Sequence, residues 1–363
     1  MKIGIIFPGY GQQYITMGKD LYDNDRLMQE LFEQASVVSN INYVKLIFAD
    51  SDAELSKIEH AYGAIYLIEC SLIAMLKGKG LCAEFVAGYG IGEYAAMYAA
   101  GALSFEDGLY LLQKYASLVQ QFSEQFQNYS VLHIPKGMSS QELQKLIDED
   151  IAQGQRLYIS AFNTDQDHII AGTNEAIDML VQVCGRMEIK KIKRYSYEAE
   201  LHSDILAPVF DQLKMYFHKV VFKDLQIPLI TNADGTYITT GSAAEAAALR
   251  RFMEPVLWEE VMEGFAGCDI ILSVGPGDQL VKWAEQMYPD KKIIQVIKLE
   301  DIQIVADIIS KEDQPSATIL DLQEAGATLH DIDEMNELLA DEEEDDDELD
   351  DMEDEIKELS DDE

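Results

Sequence analysis

Short, uninterrupted apolar runs alternate along this chain with longer stretches whose apolar residues recur every three or four positions. The first run, Lys2 to Phe7, is closed by Pro8-Gly9-Tyr10-Gly11 and reads as a buried strand. Helical spacing follows over Asn24–Asn40 and Ser51–Leu76. A second short strand, Phe85-Val86-Ala87, runs into Gly88-Tyr89-Gly90-Ile91-Gly92, and Glu93–Ala100 and Ser104–Phe122 are again helical. Ser104 with Asp107 three residues later is a helix start, a capping hydroxyl facing an acid that can reach back.

The pattern changes near residue 129. Strands are expected at Tyr129–Ile134, Leu157–Phe162, His168–Gly172 and Ile189–Tyr197, with helices at Ser140–Ile151 and at Asn174–Met187, the latter capped by Asn174. That order, βαββαβ, is the ferredoxin-like split pattern. It predicts a small domain at 129–198 inserted into a larger core formed by 1–128 and 199–310. The parent rhythm resumes with a helix at Asp204–Phe217, a strand at Pro228–Thr231, and helices at Ala243–Met253 and Glu259–Phe265. Two more strands, Ile270–Val274 before Gly275-Pro276-Gly277 and Ile293–Ile297, and a helix at Asp301–Ile309 complete the core. The alternation predicts an α/β fold with a mostly parallel sheet and helices on both faces.

Composition adds limits to this picture. Apolar residues are 48% of the 363 and charged ones 26%, a globular mixture with enough apolar surface for a sizeable core. No uncharged apolar run of about 18 residues stands out, so no membrane span is expected. Residues 341–363 hold 17 acidic residues and one lysine, or −16 of the total −40, which leaves −24 on the other 340 residues. A body so acidic repels nucleic-acid phosphate. The one cationic run, Lys190-Lys191-Ile192-Lys193-Arg194, alternates like a strand with one solvated face. Residues 311–340 read as a linker with room for an acidic helix at Asp331–Leu339, and 341–363 as a disordered acidic tail. Cys70, Cys82, Cys184 and Cys268 are far apart and form no ligand pattern, as expected of reduced thiols in a cytoplasmic protein. No metal or cofactor is implied.

The glycine-rich segment carries the chemistry. A buried strand, then Gly-x-?-x-Gly, then a helix is the frame of a nucleophile elbow, whose central side chain projects from a strained turn beside helix N-terminal amides. Here Gly88, Gly90 and Gly92 keep the frame, but the central residue has no side chain. The five residues alone fit a plain glycine-rich turn equally well. A dinucleotide fingerprint fits poorly, because the third glycine comes one position too early.

Gly88-Tyr89-Gly90-Ile91-Gly92-Glu93-Tyr94 followed by Ala99-Ala100-Gly101-Ala102-Leu103-Ser104-Phe105-Glu106-Asp107 resembles the GHSxGE-Y…AAGALSFEDA stretch of malonyl-CoA:acyl carrier protein transacylases. Phe7-Pro8-Gly9-Tyr10-Gly11-Gln12-Gln13 is similar to that family's FPGQGxQ. Ala161-Phe162-Asn163, Ile170-Ala171-Gly172, Leu201-His202-Ser203, Pro255-Val256-Leu257-Trp258 and Ser273-Val274-Gly275-Pro276-Gly277 recur in the family's order, so the likeness spans about residues 1–310. It implies an α/β-hydrolase-like core with the ferredoxin-like insertion. The implied reaction is ping-pong transfer, in which a serine takes the acyl group from CoA and hands it to a carrier-protein thiol.

The resemblance carries over unevenly. The serine falls on Gly90 and the histidine before it on Tyr89, while the catalytic histidine is kept as His202. Oxyanion-hole amides would come from Tyr10 and Ile91. The arginine that grips the malonyl carboxylate falls on Tyr115, a glutamine that helps hold the histidine on Leu257, and a further site glutamine on Tyr62. Asn163 is retained. Aromatic residues at 10, 62, 89 and 115 would fill or narrow the acyl cleft. His60, His133, His168, His218 and His330 show no partner pattern.

Three expectations follow. The first is a catalytically impaired transacylase homologue with a binding or regulatory role in fatty-acid or polyketide metabolism, its partner an acyl-CoA or acyl carrier protein. The second is a divergent acyltransferase or thioesterase that uses His202. The third is an acidic interaction protein that captures a basic partner through residues 341–363.

Overall fold

The computed structural model of the chain describes residues 1–152, 156–196 and 201–312. The expected linker, acidic helix and tail beyond 312 lie outside these residues, as does His330. The strands are β1 (Ile3–Phe7), β2 (Phe85–Gly88), β3 (Tyr129–Ile134), β4 (Leu157–Thr164), β5 (Asp167–Thr173), β6 (Lys193–Ser196), β7 (Leu229–Ile230), β8 (Tyr237–Ile238), β9 (Val256–Leu257), β10 (Ile270–Val274) and β11 (Lys292–Val296).

Six strands form one sheet in the order β11-β10-β1-β2-β7-β8, with every pair parallel except β7 and β8. β1 and β10 are buried along their whole length, as near-continuous apolar runs require when helices cover both faces. The chain leaves β1 toward β2 on one side, and β10 lies on the other. β10 in turn leads to β11, away from β1, so the crevice between the carboxyl ends of β1 and β10 is a topological switch point, where open α/β sheets place ligands. The loop Pro8–Gly11 leaves β1 there, with Gly275 against Pro8 on one side and Tyr89 against Gly9 on the other.

The helix Ile58–Gly78 is the core's main support, with 16 of its 21 residues buried. It is long and apolar enough to cross a membrane, a feature the expectation of no span missed, yet 83% of its apolar window is buried inside the fold. The continuous helix expected over Ser51–Leu76 is two, because extended backbone at Lys57 separates Asp52–Leu55 from Ile58–Gly78. Ser104 caps Phe105–Gln121 as expected, accepting from the Asp107 amide at 3.1 Å while its hydroxyl donates to the Asp107 carboxylate at 2.9 Å.

The second sheet runs β6-β3-β5-β4-β9, antiparallel within 129–196. Its strand order and the helices Ser140–Ala152 and Asn174–Arg186 match the βαββαβ reading. Thr173, not Asn174, caps the second helix, accepting from the Ala176 amide. The strand expected over Ile189–Tyr197 starts only at Lys193. Glu188 takes a left-handed turn (φ +58°), and the Ile189 amide closes the helix by bonding the Cys184 carbonyl. This sheet is not confined to residues 129–196. β9, from the later part of the chain, pairs in parallel with β4, Phe162 opposite Leu257.

Candidate active-site cleft

The elbow is built by close approach of a strand, a turn and a helix. A Cβ on Gly88 would collide with the Gly92 carbonyl and the Glu93 amide, and one on Gly92 with the Phe7 and Pro8 carbonyls. Only glycine permits these contacts. Gly90 itself has φ +53°, the left-handed geometry in which an elbow holds its nucleophile. Ile91 is the N-cap of the helix Gly92–Ala100, so its amide lies at the positive end of that helix.

Asn232, just after β7, fastens the turn. Its side-chain amide donates to the Gly88 carbonyl at 2.6 Å and its oxygen accepts from the Gly90 amide at 3.3 Å. Its backbone amide donates to Glu93 Oε1 at 3.0 Å. Glu93 is 1% exposed, and burial pushes its carboxyl up to about 7 against the opposing pull of the Asn232 bonds and the nearby Arg251. His202 sits beside this group, 4% exposed and with φ +40°. Its Nδ1 lies 2.6 Å from the Arg251 carbonyl, so that nitrogen donates and Nε2 carries the lone pair.

A cleft of about 250 Å³ opens over the elbow. Tyr10, Tyr89, Asn163 and His202 line it together with His133 and Trp283. Tyr62 and Tyr115 are not among its lining residues. They belong to one row of touching rings: Tyr10 meets Tyr62 edge-on at 5.6 Å between ring centroids, Tyr62 stacks on Tyr115 at 5.7 Å, and Tyr115 lies tilted against Phe252 at 4.3 Å. Lys114, adjacent to Tyr115, points elsewhere, over the rings of Tyr110 and Tyr216. The cation in this region belongs to Arg251, 2% exposed, whose guanidinium lies 4.4 Å from the Phe252 ring centroid and 6.0 Å from that of Tyr115. Leu257, the other altered position, is on β9, its amide held by the Asn232 carbonyl at 2.8 Å.

The family model for the acyl transferase domain matches residues 5–327. The chain belongs to this family. Among curated relatives, the malonyl CoA-acyl carrier protein transacylase of Bacillus subtilis (strain 168) is 25% identical over 314 residues, 86% of this chain and 98% of the relative. The enzyme of the same name from Staphylococcus aureus (strain MRSA252) is 23% identical, covering 83% of this chain and 97% of its own. The malonyl-CoA:acyl carrier protein transacylase structure from Helicobacter pylori superimposes with a TM-score of 0.79 at 23% identity, over 86% of this chain and 99% of that one. A malonyl-transacylase solved in complex with its type II acyl-carrier protein gives 0.79 at 23%, over 85% and 100%. Likeness at this level carries the α/β fold.

Within this acyl transferase fold, Tyr89 and Asn163 stand in the cleft with partners that the sequence reading did not find, Asp167, His133 and Trp283. Tyr89 donates its hydroxyl to Asn163 Oδ1 at 2.8 Å, and its ring packs on Trp258 and Trp283. Asn163 in turn donates to Asp167 Oδ1 at 2.8 Å. His133, read as partnerless, bonds the same oxygen through Nε2 at 2.8 Å. Trp283 Nε1 donates to Asp167 Oδ2 at 3.2 Å. Alternation along β3, which puts Val131 and His133 on one face, was the available signal. The pairing with Asp167 needed the β3–β5 register. His60 and His168 also have partners, the carbonyls of Glu54 and Met138 respectively.

Proposed function

We propose that this chain is an acyl transferase homologue that has lost the covalent serine route and keeps its cleft as a binding site for acyl thioesters of CoA or a carrier protein, in a regulatory role. The observation that carries this reading is Gly90, held at φ +53° in the elbow with no hydroxyl. Removing the nucleophile of such an enzyme costs about 10⁶ in kcat, roughly 8 kcal/mol of barrier. A surviving oxyanion hole, here the amides of Tyr10 and Ile91, supplies only about 10³–10⁴ over water. The Tyr10–Tyr62–Tyr115–Phe252 row supports the same reading, since it fills with rings the region where the resemblance places a carboxylate-gripping arginine. The division into a core of 1–128 and 199–310 with an insertion at 129–198 belongs to this proposal.

The test is a calorimetric titration with acetyl-CoA and with acetylated carrier protein, followed by intact-mass measurement of the same samples. Binding without a covalent adduct is expected. An adduct on the natural protein refutes the loss of the serine route, and the absence of binding refutes the retained cleft. A second reading, acyl transfer assisted by His202, is favoured by that ring's place in the cleft and its hold on the Arg251 carbonyl. It requires turnover that disappears in His202→Ala.

A further inference from the structure

The cleft holds a second histidine with its own carboxylate. Its floor is one face of the small sheet, to which alternate residues of β3 and β6 contribute Val131, His133, Lys193 and Tyr195, with His133 opposite Lys193 in the register. Asp167, two residues along β5 from Ile169 on this same face, is 6% exposed and receives hydrogen bonds from His133, Asn163 and Trp283. Burial works to raise its carboxyl, but those bonds outweigh burial and hold it below the ordinary carboxylate range. An ionised carboxylate only accepts, so His133 Nε2 must donate to it, and the lone pair of the neutral ring falls on Nδ1. A histidine oriented by a buried carboxylate, with its other nitrogen basic, is the arrangement that general-base catalysis uses.

We propose that His133, oriented by Asp167, is a general base that activates water against the carbonyl of a short, uncharged acyl thioester bound in the cleft. The volume of about 250 Å³ suits a small acyl group on the end of a thiol arm, not a long chain. In the step, a water proton passes to His133 Nδ1 and the water oxygen bonds to the thioester carbon. Collapse of the tetrahedral adduct breaks the C–S bond, and the imidazolium proton goes to the departing sulfur. The products are a carboxylic acid and a thiol, and no further reactant is needed. Asp167, Asn163 and Trp283 are positioning residues. This inference rests on the proposed entry of thioesters into the cleft but assigns them a fate that binding alone does not.

The experiment uses the full chain with acetyl-CoA, measuring binding by calorimetry and thiol release with a chromogenic disulfide. Thiol release above the buffer rate is expected, falling about 10²- to 10⁴-fold in His133→Gln with little change in affinity. Glutamine keeps a donor for Asp167 and so guards the fold, which thermal melting checks. In His133→Ala, added imidazole should recover part of the rate, a readout that a merely structural role would not move. Equal rates in the natural protein and His133→Gln overturn the assignment. Binding with no thiol release overturns it too and leaves the binding reading intact, whereas absence of binding overturns both.

Discussion

Glu93 gives the chain a pH dependence that can be worked out from its surroundings. It lies in the first turn of the helix Gly92–Ala100, is almost wholly buried, and accepts one hydrogen bond on Oε1, while Oε2 has no partner among the described residues. Burial raises its carboxyl from 4.5 to about 7. The folded state therefore binds a proton that the unfolded state has released between those two values. Stability from this group is fully present below about pH 4.5 and is lost as pH rises through about 7. At about 1.4 kcal/mol per unit, the loss is roughly 3 kcal/mol. Glu93→Gln keeps an acceptor for the Asn232 amide and removes the titration. Urea unfolding at intervals from pH 4.5 to 8 should show the natural protein losing roughly 3 kcal/mol relative to the variant over that range. Self-repulsion of the acidic chain is common to both proteins and cancels in the difference. Parallel stability curves would refute the reasoning, because they would mean that Glu93 titrates alike in the two states.

Glu69 is fully buried in the helix Ile58–Gly78, neither carboxylate oxygen has a hydrogen bond among the described residues, and burial pushes its carboxyl well up. Glu69→Leu should therefore stabilise the fold by about 1–3 kcal/mol, read as a higher urea midpoint. Gly88→Ala forces a Cβ into the Gly92–Glu93 backbone. It should cost about 1–3 kcal/mol or more by the same assay, since backbone cannot swing aside as a side chain can.

Local chemistry made part of this molecule legible. The Ser104 cap, the apolar runs of β1 and β10 and the glycine spacing of the elbow each depend on neighbours in sequence, and each could be read directly. Where two local signals compete, sequence alone does not decide. Asn174 and Thr173 are both capping residue types, and Thr173 supplies the hydroxyl; Ile189 has the side chain of a strand former, and its amide closes a helix. β8 and β9 are two residues each, too short for any periodicity to mark them. The cleft was legible position by position, but not as contacts. Tyr10, Tyr62 and Tyr115 were singled out as separate substitutions, and folding makes them one row completed by Phe252. Arg251 and Asn232 lie 49 and 142 residues from the groups they hold, His202 and Gly90, and nothing in the local sequence joins them.

The proposed loss of the serine route rests on Gly90, which has no hydroxyl, and the proposed loss of malonate binding rests on the stacked rings of Tyr62 and Tyr115. Intact-mass spectrometry after incubation with malonyl-CoA tests both most directly, on the natural protein and on Gly90→Ser side by side. No adduct is expected on the natural protein. Little or no malonyl loading is expected on Gly90→Ser, because restoring the hydroxyl does not remove the Tyr62–Tyr115 stack. A stable malonyl adduct on the natural protein contradicts the loss of the serine route outright, and efficient loading of Gly90→Ser would show that the stack leaves the site competent for malonate.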